Sequence, residues 1–171
     1  MNRCTAIALV LLPVLFIGGP ALAGSSAPPQ TLESYQACLV TGSDAIPVQL
    51  EQATSPVEHR YGLMERESLP EDAGMLFVYP AERDANAGFW MYRTRIPLDI
   101  AWLDDDGVIL AMDTMTPCKT ESARNCPSWA PGVRHRHVLE MNAGFFADHS
   151  VAVGDRLVAN LNDNITCPSV D

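Results

Sequence analysis

The residues with the clearest capacity for chemistry lie in two groups. His135-x-His137, followed by Glu140 and Gly144, would place two imidazoles on one face of a strand with a carboxylate nearby, a donor set suited to a divalent metal. Competing with this is a solvated strand face flanked by Arg134 and Arg136. The second group consists of polar residues set in apolar runs: Arg66, Arg93, Thr94, Asp99 and Glu140, with Trp90 and Tyr92 beside them. Arginine outnumbers lysine ten to one, Lys119 being the single lysine, and a guanidinium grips a carboxylate with two bonds where an ammonium cannot. Structurally, this group reads as Arg66 or Arg93 paired with Asp99 or Glu140 inside the fold. Functionally, it reads as a pocket for a small polar ligand.

Other chemistry has less support. Met64, Met75, Met91, Met112, Met115 and Met141 would be soft ligands for Cu(I), but they sit in apolar segments where methionine packs cores. Strand alternation also sends Met112 and Met115 to opposite faces. No G-x-S-x-G elbow and no phosphate-cradling glycine loop is present, and His59 and His149 have no acid partner legible in sequence. Asp99 and Glu140 are the carboxylate pair a glycosidase-like cleft would need. No cofactor is expected.

Residues 1–23 combine Arg3, an apolar run from Ala6 to Ile17 and Ala21-Leu22-Ala23, the pattern of a secretory signal peptide cleaved before Gly24. The run is too short to span a bilayer, and no later stretch is long and apolar enough, so no transmembrane segment is expected after cleavage. The mature chain would carry ten basic residues against 21 acidic ones, a net charge of −11. Nucleic acid is an unsuitable partner for such a chain. Cys38, Cys118, Cys126 and Cys167 remain, an even number suited to a periplasmic or secreted setting. Of the three connectivities, 118–126 within one proline-flanked loop and 38–167 between the domain's ends is the economical one, worth roughly 2.5 and about 5 kcal/mol in the chain-entropy model. No pair has the C-x-x-C spacing of zinc sites.

The elements that must position these residues are short. After a Pro/Ser/Gly-rich leader over 24–33, strands are expected at Tyr35–Val40 and Ile46–Gln52 around a Thr-Gly-Ser-Asp turn. Ser55-Pro56-Val57-Glu58 predicts a capped helix over 56–66. Further strands are expected at Met75–Tyr79, Phe89–Arg93, Leu98–Leu103, Val108–Met115, Val133–Glu140 and Arg156–Leu161, with an excursion over 116–132 and a helical turn at 142–148. About eight strands without βα alternation predict an all-β fold, a single-domain sandwich or barrel over 34–171.

The segments GLMERESLPEDAGMLFVYP, FWMYRTRIPLDIAWLDDDG, VLEMNAG and VGDRL, with the PC and CP of the 117–127 loop, stand in an order that resembles the bacterial and archaeal domain of unknown function 192. The resemblance spans roughly Ile46 to Val158 and implies a β-sandwich related to jelly rolls, with no established reaction, cofactor or ligand. Two pairs depart from it: Tyr92-Arg93 where the family has Lys-Asn, and His149-Ser150 where it has Gly-Ile. The histidine pair is also similar to the first metal motif of cupins, but its spacing to Glu140 is short by at least one residue and no second motif follows. Three function classes remain open: an exported module binding a small polar ligand, a structural or partner-interaction protein of the cell envelope, and an enzyme, possibly metal-dependent; the reading leans away from the enzyme.

Overall fold

The computed structural model describes residues 28–120, 122–159 and 167–168. The expected signal segment and the first part of the leader lie outside the described residues. Leader residues inside them are fastened to the domain: the Gln30 amide donates to the carbonyls of Glu58 and Gly62 (3.0 and 2.9 Å), and the Leu32 amide donates to Glu51 (2.7 Å).

Strand β1 (Ser34–Val40) turns back at Thr41, whose hydroxyl accepts the Ser43 and Asp44 amides, into β2 (Ala45–Ala53). Helix α1 (Pro56–Tyr61) has the predicted cap: the Ser55 hydroxyl accepts the Glu58 amide (3.3 Å) and the Glu58 carboxylate accepts the Ser55 amide (2.8 Å). Backbone amides of Ser55 and Thr54 bonded to that carboxylate bring its pKa down to about 2. The helix ends at Tyr61 rather than 66, because Gly62 takes φ 46° and its amide closes on the Glu58 carbonyl.

Next come β3 (Ala73–Arg83), β4 (Phe89–Trp90), β5 (Leu98–Leu103), β6 (Ile109–Met115), a 3-10 turn (Ala123–Asn125), β7 (Ser128–Trp129), β8 (His135–Asn142), α2 (Phe145–Asp148) and β9 (Arg156–Ala159). Seven strands form one sheet in the order β6-β5-β8-β3-β2-β1-β9, and β4 with β7 makes a separate ribbon. The predicted all-β class holds, as a curled half-barrel. Within it β2 and β3 run parallel across α1, a single β-α-β unit that a search for repeated alternation passes over. The strand expected over Phe89–Arg93 stops at Trp90; Arg93 takes φ 58° and gives its carbonyl to the Glu65 amide (2.8 Å).

The sheet's two edges meet at one end. Val108 bridges Arg156, the Ile109 amide donates to Asp155 (2.8 Å), and the Leu157 amide donates to Gly107 (2.9 Å). Gly107 makes this approach possible: φ is 82°, and a Cβ there would lie 2.3 Å from the Leu157 carbonyl oxygen.

Curling divides the core in two. The inner face carries Leu39, Val48, Leu50, Leu76, Leu103, Leu139, Met141 and Leu157, and α2 packs Phe145 and Phe146 against it. The outer face carries Met75, Phe77, Leu98, Ile100, Trp102, Met115 and Val138, covered by Leu63, Met91, Phe89 and Trp129. Met75, Met91, Met115 and Met141 serve this packing, with Met115 outside and Met112 against the inner cluster. Disulfides join Cys38 to Cys167 and Cys118 to Cys126, with Cα separations of 5.5 and 5.6 Å, in the expected pairing.

Candidate ligand-binding groove

The polar residues singled out in the sequence are distributed over separate places. Arg66 grips Glu51 with two bonds (2.5 and 2.7 Å) and gives a third to the Gln30 carbonyl (2.7 Å). Arg93 donates through Nε to Glu65, whose other oxygen takes Arg95 at 2.5 and 2.8 Å. Hydrogen bonds from Arg95, then from Arg93, hold the Glu65 carboxyl below its usual range against the opposing effect of burial. The expected pairing of Arg66 or Arg93 with Asp99 or Glu140 is therefore replaced: the partners are Glu51 and Glu65, brought close by the parallel crossover and by the turn at Arg93.

Asp99 is buried on the inner side of β5 and holds three bonds: the Thr114 hydroxyl (2.7 Å) and the Gly144 and Phe146 amides (2.9 and 3.1 Å). It ties β6 and the start of α2 to the sheet. Thr94 is buried as well, its amide donating to Met91 (3.2 Å). Glu140 pairs in register with Met75 and Ile100 and shares their outer face. Burial pushes its carboxyl up to about 8, so it is protonated at neutral pH. The sheet stands between Asp99 and Glu140, so they do not form a carboxylate pair.

The same parity separates the histidines from Glu140. His137 shares the inner face with Leu139 and Met141, whereas Glu140, three residues on, points outward. His135 is buried, with Nδ1 3.3 Å from the Val133 carbonyl oxygen and Nε2 without a partner among the described residues. Burial lowers both imidazole pKa values, Arg136 adding to the effect at His137 and Arg83 at His135. Among the described residues no three His, Cys, Asp or Glu side chains group to hold a metal ion.

Arg66, Asp99 and Trp90 line three different clefts. In the first, Arg66 is engaged by Glu51, and Arg95 by Glu65 and Glu67. In the second, both Asp99 oxygens are engaged. The third, about 400 Å³, lies between α1, the far half of β3 and β4, and its lining includes Pro56, His59, Arg60, Tyr79, Arg83, Phe89 and Trp90.

Each wall of this groove has a local cause. Trp90 is 40% exposed at the end of the two-residue β4, and Tyr92 lies 5.8 Å away between ring centroids. The β4–β7 pairing that presents it requires Gly88, where a Cβ would fall 2.3 Å from Ser128 Oγ and 2.8 Å from the Trp129 carbonyl oxygen. His59 Nε2 lies 3.0 Å from the Ala53 oxygen and 3.1 Å from the Val78 oxygen, and its ring stacks 4.3 Å from Tyr79. Arg83 lies over the Tyr79 ring at 4.1 Å, a cation–π contact, and its enclosed Nε has no hydrogen-bond partner among the described residues. Burial raises the Tyr79 hydroxyl to about 12, with Arg83 opposing and Glu140 adding. Neither Arg60 nor Arg83 has a carboxylate within ion-pair distance among the described residues, although the chain's net charge is −10. Sequence reasoning found Trp90 and Tyr92, set His59 aside for want of an acid partner, and missed Arg60, Tyr79 and Arg83. The available signal was Arg83 at the end of an apolar strand with no acid two or four residues away on the same strand face.

Comparison with solved structures places the fold among known ones. A crystal structure from Sinorhizobium meliloti 1021, of a protein to which a role as a transcription regulator is ascribed only provisionally, matches with a TM-score of 0.66 and 28% identity over 75% of this chain and 95% of that one. A protein of unknown function from Novosphingobium aromaticivorans DSM 12444 matches with a TM-score of 0.65 and 26% identity over 83% of this chain and all of the other. No curated protein matches at a significant level. The model of the DUF192 family, described as an uncharacterized ACR, covers residues 38–159, from the first disulfide cysteine to the last residue of β9, and the chain belongs to that family.

Proposed function

We propose that the chain is an exported binding module, periplasmic or secreted, whose groove beside Trp90 takes a small ring-shaped acid such as a uronic sugar. One observation carries this reading: two arginines without acidic partners among the described residues flank a set of aromatic rings in a chain of net charge −10. An exposed tryptophan face offers apolar contact to a ring, and guanidinium donors select a carboxylate by geometry. The groove is partly prebuilt, since Arg83 rests on Tyr79 and His59 is fixed by backbone carbonyls. Export is supported by the N-terminal apolar run and by the two disulfides. Among the described residues no helix is long and apolar enough to cross a membrane. The transcription role ascribed to the Sinorhizobium protein is not carried over, because the acidic charge disfavours a nucleic-acid partner.

Calorimetric titration of the mature protein with glucuronate, glucose and glucosamine tests the reading. Glucuronate is expected to bind, with the neutral and cationic sugars weaker by about tenfold or more. Arg83→Gln removes a charge-assisted bond worth about 1.5–3 kcal/mol, roughly a ten- to hundredfold loss of affinity. Equal binding of the three sugars, or glucuronate binding indifferent to both Arg83→Gln and Trp90→Ala, refutes the groove. Self-association or capture of an envelope protein through Trp90, without any sugar response, would support the partner-interaction reading instead.

A further inference from the structure

We propose that the open end of the half-barrel is a second binding site, one for a small apolar amine. The curled sheet is stoppered at one end by Phe145 and Phe146 of α2. At the other end, beside the β5–β6 turn, the inner core leaves a cavity of about 210 Å³ walled by Leu76, Val78, Leu103 and Leu157. That volume exceeds the ~150 Å³ at which an apolar cavity admits benzene, and it is below the usual size of a site for a larger ligand, so the occupant is a fragment of about one ring.

Two polar groups set the chemistry of the occupant. His137 lines the cavity, and its enclosed Nδ1 has no hydrogen-bond partner among the described residues. At the rim, Asp105 has Arg136 at 3.4 Å, whereas no described cation pairs with the Asp106 carboxylate. An ammonium or amine group at the mouth offers N–H donors to Asp106 and to an unprotonated Nδ1, while its hydrocarbon part replaces water against the leucines. An anion meets the carboxylates instead and is disfavoured. The mouth is preformed, because the Leu157 amide is bonded to the Gly107 carbonyl and Val108 bridges Arg156. A preformed cavity spares the ligand the cost of ordering its walls. The site lies on the inner face of the sheet, whereas Tyr79 and Phe89 of the Trp90 groove belong to the outer cluster, so the two proposals stand or fall separately.

The test is a titration of methyl-labelled mature protein with benzylamine, benzyl alcohol and benzoate, followed by NMR. Benzylamine is expected to shift the Val78, Leu103 and Leu157 methyls saturably and to bind about tenfold or more tighter than benzoate, as one uncompensated carboxylate at a partly screened rim predicts. Asp106→Asn, at an exposed turn position, is expected to bring benzylamine and benzyl alcohol within about threefold of each other. Ala159→Phe, which projects a ring into the cavity mouth, is expected to abolish the shifts while the spectrum stays folded. Equal affinity for amine and benzoate, shifts confined to the neighbourhood of Trp90, or no saturable shift at millimolar concentrations overturns the proposal.

Discussion

Replacing Glu140 with glutamine should stabilise the protein, increasingly so as pH rises. Glu140 lies on β8 against Met75 and Ile100, is 4% exposed, and no hydrogen bond from the described residues reaches its carboxyl. Burial alone raises its pKa from 4.5 to about 8. Between those two values the unfolded chain has released a proton that the folded chain still holds, so folding becomes less favourable as pH rises through that window. At 1.36 kcal/mol per unit, the penalty reaches about 4 kcal/mol by pH 8 and is small at pH 4.5. Glutamine has nearly the same shape and no proton to lose. Urea unfolding of the parent and Glu140→Gln at pH 5, 6.5 and 8 should therefore show the variant's advantage growing by about 3 kcal/mol across the series. Comparing the two proteins at each pH cancels every other titrating group. An advantage that is constant with pH, or that shrinks toward pH 8, would falsify the account of a carboxyl buried without compensation.

Three further outcomes follow from the pairings. Arg66→Gln leaves Glu51 without its guanidinium where both side chains are only 13% exposed, and should cost about 3 kcal/mol while speeding amide exchange of Leu32, which is bonded to the same Glu51; chemical denaturation and exchange rates check both. Asp99→Asn loses a charged acceptor from the Gly144 and Phe146 amides and should cost about 2–3 kcal/mol, with exchange accelerated first in α2; unchanged stability refutes the tether. Opening Cys118–Cys126 by Cys126→Ser should cost about 2.5 kcal/mol by loop entropy and weaken glucuronate binding, since the chain just after Cys126 carries β7, the partner of Trp90; melting and titration of the variant measure each.

Legibility followed the range of the interactions. The cap at Ser55, the turn at Thr41 and strands such as Leu98–Leu103 are local patterns, and each of these appears where the residues predict it. The failure at Arg66 has a different origin: its partner Glu51 is 15 residues back, on a strand that becomes a neighbour only because β3 crosses over in parallel. The strand expected from Phe89 ends early, at Trp90, for a similar reason, since Arg93 adopts left-handed geometry that its residue type does not advertise. One separation was available from counting alone. The interval from His137 to Glu140 is odd, so an unbulged strand must send them to opposite faces, and the same rule already separated Met112 from Met115. The groove at Trp90 gathers α1, β3 and β4, an assembly that no single stretch of sequence encodes.

The seam between Val108 and Arg156 bears on how copies of the chain avoid one another. Strands β6 and β9 are the free margins of the sheet, and unpaired margins invite a strand from another molecule. Here each margin meets the other at one end, and β9, only four residues long, would be the element easiest to donate. Cys167, eight residues beyond Ala159, is locked to Cys38 in the neighbouring strand β1, so β9 is anchored just beyond its end. The disulfide thus holds β9 in its own molecule. A chain that folds before this bond forms lacks that restraint, and reciprocal exchange of β9 between two copies becomes the low-cost route to a dimer.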